Sequence, residues 1–317
     1  VVALACITIL RHPQIVDFYS FWAAGQLGAK AYSVSGPGHL LPIPHPPPLL
    51  FFTAALRGIP YPTAFVAWVM FTGLFYALAS GRNALAHPSV VYAGIIGQLS
   101  FVTTGLFRLG LRGNPILAGV AFGCLVIKPQ LAILAPVALV AGGHWKTLAV
   151  AGLTAVGLFG ASLLVFGGFW PWLAVLEMFG ARLRQGAWPW HELASTYGLL
   201  RDIGLSDAPA MFCHCIIAVG AAVVVFVAWR HDWSAKGQIL SAATVLASPY
   251  LFTYDALLLP ITSWPIGILC SIPVLAVLFH FSAPNTIPLA ALISILGVMP
   301  TLRTPKSRPL PAGFATH

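Results

Sequence analysis

Three observations predict an all-α fold of membrane-spanning helices. Only 7% of the 317 residues are Asp, Glu, Lys or Arg, where a soluble domain carries roughly 25%. Apolar and aromatic residues make up 59%, and the mean hydropathy is +0.89. Apolar runs also follow one another along the whole chain with only short breaks. Sixteen basic and seven acidic side chains cannot cover the surface of a soluble globule of this length. Soluble enzyme classes are thereby excluded, and the apolar fraction excludes a disordered chain.

The elements are expected in the following order. Val1 to Leu10 is apolar but half the roughly 20 residues a spanning helix needs. It reads as the remnant of a first transmembrane helix, cut at its N-terminus. Residues 11–47 form a polar stretch. Within it, Asp17 to Tyr32 holds Phe18, Tyr19, Phe21, Trp22 and Tyr32 with two charges, Asp17 and Lys30. That composition predicts an interfacial helix lying on the membrane surface. Leu41 to Pro48, LPIPHPPP, is a stiff extended lead-in to the next helix. Membrane segments follow at 48–57, 62–80, 89–107, 115–127, 130–142 and 147–167. A second polar stretch, 168–207, precedes segments at 208–229, 238–254, 255–263, 266–282 and 286–302. Pro removes a helix hydrogen bond, so Lys128-Pro129-Gln130 and Ser248-Pro249-Tyr250 mark broken or hairpin helices. Irregular backbone at membrane depth is tolerated only where protein or a wet cavity covers it, and such breaks often mark sites. No internal repeat is visible, and residues 1–317 read as a single polytopic membrane domain.

The formal charge of +9 accompanies no basic cluster interleaved with exposed aromatics, so it reads as topology and not as nucleic-acid binding. Placing both polar stretches on the outer side leaves Arg57, Arg108, Arg112, Lys146, Arg230, Lys236, Arg303, Lys306 and Arg308 on the inner side, with Asp232 as its one acid. Short inner loops rich in Lys and Arg satisfy the positive-inside rule. The five Cys show no paired framework and read as buried free thiols.

Scarce charge shortens the search for chemistry. Asp17 falls at the outer water–lipid boundary, where a carboxylate can take a proton from an alcohol near a lipid headgroup. The same acid also suits a helix N-cap. Lys128 lies between two apolar runs and is costly there unless paired or solvated. A phosphate oxygen fits its compact ammonium; a snorkelling lysine at a short turn is the plainer reading. Asp255, in SPYLFTYDALLLP with Tyr250 and Tyr254, can accept from sugar hydroxyls or pair with Lys128 or an Arg. The aromatics of the second stretch, Trp170, Trp172, Trp188, Trp190 and Tyr197, suit the membrane interface first and sugar stacking second. Arg182, Arg184 and Arg201 can bind phosphate or be solvated loop charge.

Other motifs fail. His191-Glu192 is not H-E-x-x-H, because position 195 is Ser. Cys213-His214-Cys215 puts neighbours on different sides of a helix, so one metal cannot be gripped by all three. The run Gly142 to Thr147 lacks the Gly before Lys of a P-loop, and there is no G-x-S-x-G. No metal and no cofactor is called for. A lipid-carried donor suits a site at the outer face.

Taken in order, Asp17 to Tyr32, the Pro-rich lead-in, Gly97-Gln98, Asn114 to Gly119, Lys128-Pro129-Gln130 and Ser248-Pro249-Tyr250 with Tyr254-Asp255 resemble glycosyltransferase family 87, polytopic enzymes of the GT-C superfamily. The resemblance implies a GT-C type membrane fold and transfer of a sugar, most often mannose and in some members arabinofuranose, from a polyprenyl-phosphate carrier. The acceptor is a glycolipid or glycan, and the work is done at the extracytoplasmic face, here of a bacterial plasma membrane. It implies Asp17 as catalytic base, Lys128 at the carrier phosphate, and Gln98, Gln130, Tyr250, Tyr254 and Asp255 as lining of the substrate site. Two departures stand out. Leu99 replaces the Asn that often follows Gly-Gln, and Tyr250 replaces the His that often follows Ser-Pro. One base and no carboxylate nucleophile imply inversion. The rival readings are a polytopic transporter or lipid flippase, or a non-catalytic family member.

Overall fold

A computed structural model describes residues 17–33, 45–185 and 190–298. The expected helix remnant at 1–10 and the basic residues Arg303, Lys306 and Arg308 lie outside the described residues, as do Trp188 and the side chains of Arg182 and Arg184. The described chain is all-α, with no strand beyond an isolated bridge between Leu193 and Phe252.

The helices are α1 (Asp17–Leu27), α2 (Leu49–Thr53), α3 (Tyr61–Ser80), α4 (Ser89–Ile96), α5 (Ser100–Arg112), α6 (Pro115–Cys124), α7 (Ala135–Ala141), α8 (Trp145–Phe166), α9 (Trp170–Gln185), α10 (Thr196–Asp202), α11 (Asp207–Arg230), α12 (Lys236–Ala247), α13 (Trp264–Phe279) and α14 (Ile287–Val298). Three of them, α3, α8 and α11, are long and apolar enough to cross a membrane. Their outer surfaces are those of a membrane protein: on α8, Leu164 is 87% and Leu153 74% exposed, which only a hydrocarbon surround makes favourable. At the other extreme, α12 is buried continuously from Ile239 to Ala247, on every side, as befits a central helix.

Two places build the site: one departs from the segments read off hydropathy, and the other is an expected break. The expected span 89–107 is two helices. Along the parallel pair α3 and α5, the Trp68 indole bonds the Gly97 carbonyl (3.0 Å), a Cβ on Gly105 would meet Phe75, and Arg112 reaches the Ala79 carbonyl. A chain leaving the end of α3 and starting α5 beside Trp68 must run back first. The eight residues of α4 do this over about 12 Å, at 1.5 Å per residue. The turn falls on Gly97-Gln98-Leu99, with Gly97 left-handed at φ 63°.

The second is the expected hairpin around Lys128. On α6, Gly119 packs on Thr147 and Val150, and Gly123 on Ala151 and Thr154, so α6 and α8 run parallel in contact. The intervening α7 therefore runs the opposite way. Residues 115–141 go up and return, with the turn made by two short 3-10 pieces, Leu125–Ile127 and Pro129–Ala132. Gly119-x-x-x-Gly123 lets the two backbones close up; a Cβ on either glycine would come within 2.8 Å of α8 atoms. Segment 255–263 likewise begins as a 3-10 helix, Thr253–Leu258, followed by irregular chain. Its C-terminal carbonyl at Leu258 is held by Arg108 (2.9 Å).

Finally, α1 is not a helix resting on the surface. Phe18, Phe21, Ala23, Ala24 and Gly25 are buried, and Phe18 and Phe21 pack with Leu49, Tyr61, Trp68, Leu99 and Ile127. Trp22 and Gln26 donate to the carbonyls of Ile59 and Leu56, stapling α1 to the chain before α3.

Candidate active site

The site is assembled where Asp17 of α1, the 97–99 turn and the tip of the 115–141 hairpin meet. The loop after α12 closes it. Asp17 is the first described residue of α1 and is half-buried. Its Oδ2 accepts from the Gln98 side-chain amide at 2.6 Å. Gln98 Oε1 in turn accepts from the Leu99 backbone N–H (2.7 Å), which fixes the orientation of the amide. Gly97 makes this approach possible. A Cβ there would sit 2.7 Å from the Phe18 Cβ, and its positive φ is strained for any other residue.

Two residues further on, Ser100 Oγ donates to Asp255 Oδ1 (2.8 Å). That oxygen also accepts from Lys128 Nζ at 2.6 Å, in an ion pair with side chains 2% and 0% exposed. Asp255 Oδ2 accepts from the Phe252 backbone N–H (3.2 Å). The Lys128 ammonium lies 5.0 Å over the Tyr254 ring, and Tyr254 stacks on Phe252 and meets Tyr92. Tyr250 meets Phe252 edge-on at 5.2 Å, so the loop presents a run of aromatic faces beside the charges. Gln130 is half-buried at the hairpin tip, and its backbone carbonyl accepts from Ser248 Oγ at 2.7 Å. This last bond ties the Lys128 turn to the Ser248-Pro249-Tyr250 break.

Asp17, Gln98, Lys128, Asp255 and Tyr254 thus form one connected group, with Tyr250 and Gln130 at its edge. Within it, burial pushes the Asp17 carboxyl up to about 6. The Gln98 hydrogen bond and the charge of Lys128 work against that rise, while Glu192 and Asp255 add to it. A carboxyl poised there is ionised at neutral pH yet basic enough to take a proton.

Three neighbours went unnoticed in the sequence as site residues. His45, in the Pro-rich lead-in, is buried, packs on Phe21 and hydrogen-bonds the backbone at Ile127. Burial, with the Lys128 charge beside it, holds His45 down at about 3, so it is neutral. Ser100, two residues past Gln98, donates to Asp255 and so sets that carboxylate against the 97–99 turn. Glu192 stands out in the sequence only within a failed metal motif; its charge acts on Asp17. A Pro-rich run and a lone acid in a long loop carry no signal of such proximity.

Of the second-stretch aromatics, Trp170 meets Tyr32, Trp172 donates to Ser162 (3.0 Å), and Trp190 lies under the Arg201 guanidinium at 4.9 Å and against Tyr197. Arg201 also donates to the Leu205 carbonyl (2.7 Å), which makes it a local loop clamp.

The family model for glycosyltransferase family 87 matches residues 44–249. That range holds Gln98, Lys128 and the Ser248-Pro249 break, while Asp17, Tyr254 and Asp255 flank it. No curated protein and no solved structure matches the chain.

Proposed function

The chain belongs to glycosyltransferase family 87 as a membrane glycosyltransferase, and from that premise we propose that it moves a sugar from a polyprenyl-phosphate carrier to a hydroxyl of a glycolipid or glycan. The donor sugar is mannose, with arabinofuranose as the alternative. The site faces the extracytoplasmic side of a bacterial plasma membrane.

One observation carries the reading: Asp17, held by Gln98 and raised to about 6, stands beside a buried cation that is itself fixed by Asp255. In the proposed step, Asp17 takes the proton of the acceptor hydroxyl. That oxygen attacks the anomeric carbon, and the bond from that carbon to the phosphate oxygen breaks. The electron pair leaves with the polyprenyl phosphate. A single displacement inverts the anomeric centre. Lys128 donates one hydrogen bond, to Asp255, and its positive charge stabilises the phosphate as it leaves. Tyr250, Tyr254 and Phe252 offer the sugar ring an apolar face, and Gln130 lines the hairpin side. The inner, basic end of the helices stays cytoplasmic.

The test supplies membranes containing the full chain with radiolabelled polyprenyl-phosphate mannose or arabinose and follows the label into products. Transfer from one donor with inverted configuration is expected. Retained configuration, or no transfer from either donor by folded protein, contradicts the proposal.

A further inference from the structure

The second polar stretch delivers a carboxylate that the proposed step does not use. Its 3-10 turn, Trp190–Glu192, is sewn to the loop that carries Asp255 by main-chain bonds. The Ala194 N–H donates to the Leu251 carbonyl (2.7 Å), Leu193 bridges Phe252, and Thr253 Oγ1 donates to the Glu192 carbonyl (3.1 Å). The Asn285 amide donates to Thr253 Oγ1 (3.0 Å) and to the His191 carbonyl (3.4 Å), locking the pair together. None of these contacts uses the Glu192 side chain, so the backbone of the turn is fixed whatever residue stands there.

The Glu192 side chain itself is 30% exposed. Its one described polar neighbour is the exposed imidazole of His191, 3.8 Å away. The cation of the site is already committed to Asp255. Glu192 is nonetheless close enough for its charge to act on Asp17 and on Tyr92. Acids gathered around one lysine repel each other, and burial adds to the cost by raising the Glu192 carboxyl. A carboxylate kept in such a place, with no hydrogen bond to its oxygens among the described residues, is matched by neutral O–H donors, to which it makes short charge-assisted hydrogen bonds. It is mismatched to a phosphate, which it repels. Of the two substrates, that selects the acceptor.

We propose that Glu192 binds a hydroxyl of the acceptor sugar and holds it beside Asp17. This rests on the reading of Asp17 as the base. Asp17 is also faced by Lys128, Asp255, Tyr92 and Tyr254, none of which changes when Glu192 is replaced.

The experiment uses the full chain in membranes, radiolabelled polyprenyl-phosphate mannose as donor and octyl mannoside as acceptor probe. Glu192→Gln keeps the shape and removes the charge. The expected result is an acceptor KM raised about tenfold, the loss of one hydrogen bond to a charged group, with no rise in donor KM. The acid limb of the rate profile also moves to lower pH, because removing a negative neighbour lets Asp17 ionise more readily. A role confined to loop structure moves neither. An unchanged acceptor KM, or a rise in donor KM instead, overturns the proposal. Full turnover by Asp17→Asn in the same assay overturns the base reading alone, and the acceptor KM still decides Glu192.

Discussion

Lys128 and Asp255 are a buried pair, and the cost of breaking it is large. Leaving one charge unpaired in the interior costs about 3–5 kcal/mol, whereas replacing both with apolar groups is close to neutral. Lys128→Met should therefore lower the melting temperature in detergent sharply. Lys128→Met with Asp255→Leu should recover most of the loss while remaining inactive in sugar transfer. A double variant no more stable than the single would show that the pair is not what holds the hairpin tip to the 253–258 turn. At this scale the sequence was partly readable. A lysine between two apolar runs had to be paired or solvated, and Asp255 was one of few acids available to it. Glu192 and His45 were not readable, because their relation to Asp17 and Lys128 arises only when distant loops fold against the same turn.

At the scale of elements, the site depends on helices that stop inside the protein. Hydropathy marked 89–107 as one span because the run through Gly97 is apolar on both sides, and a hydropathy average does not register a reversal of direction. The prolines at 129 and 249 did announce their breaks. Gly97-Gln98 and Asn114 to Gly119 stand out in the sequence only as parts of the family resemblance, and neither shows which helix lies opposite. Gly97→Ala tests the turn directly. The added Cβ meets Phe18 at 2.7 Å in a backbone of φ 63°, which costs about 1–3 kcal/mol for strained backbone. It also pushes Gln98 away from Asp17. Turnover is expected to fall at least tenfold together with a lower melting temperature. Wild-type turnover from Gly97→Ala would mean that the Gln98–Asp17 contact is not needed.

Across the whole molecule the charges are sorted by end. Gly237 packs on Leu111, Gly142 and His144 meet Trp229, and Trp229 bonds the Lys236 carbonyl. The ends of α5, α7 and α11 and the starts of α6, α8 and α12 are thus gathered together. Arg112, Lys146, Arg230 and Lys236 lie there, with Asp232 bonded to Lys236. The Asp17, Asp255 and Glu192 carboxylates gather instead at the hairpin turns, away from that basic end. The count along the chain gave this separation in part: it put Arg57 with the inner bases, whereas the Leu56 carbonyl and the Gly58 N–H bond Gln26 of α1, which sets Arg57 at the start of α3, at the opposite end of that helix from Arg112. The fold adds that three of the acids share one site, and the proposal is that one of them, Asp17, acts on a proton. The pH dependence of sugar transfer by wild type and Asp17→Asn, measured on folded protein in membranes, tests this most directly. Wild-type kcat/KM should fall about tenfold per pH unit below about 6, as the carboxylate takes up its proton. Asp17→Asn should lose at least a hundredfold in rate, about the least a general base contributes, and show no such limb. An Asp17→Asn enzyme that transfers sugar at the wild-type rate with the same acid limb would contradict the account.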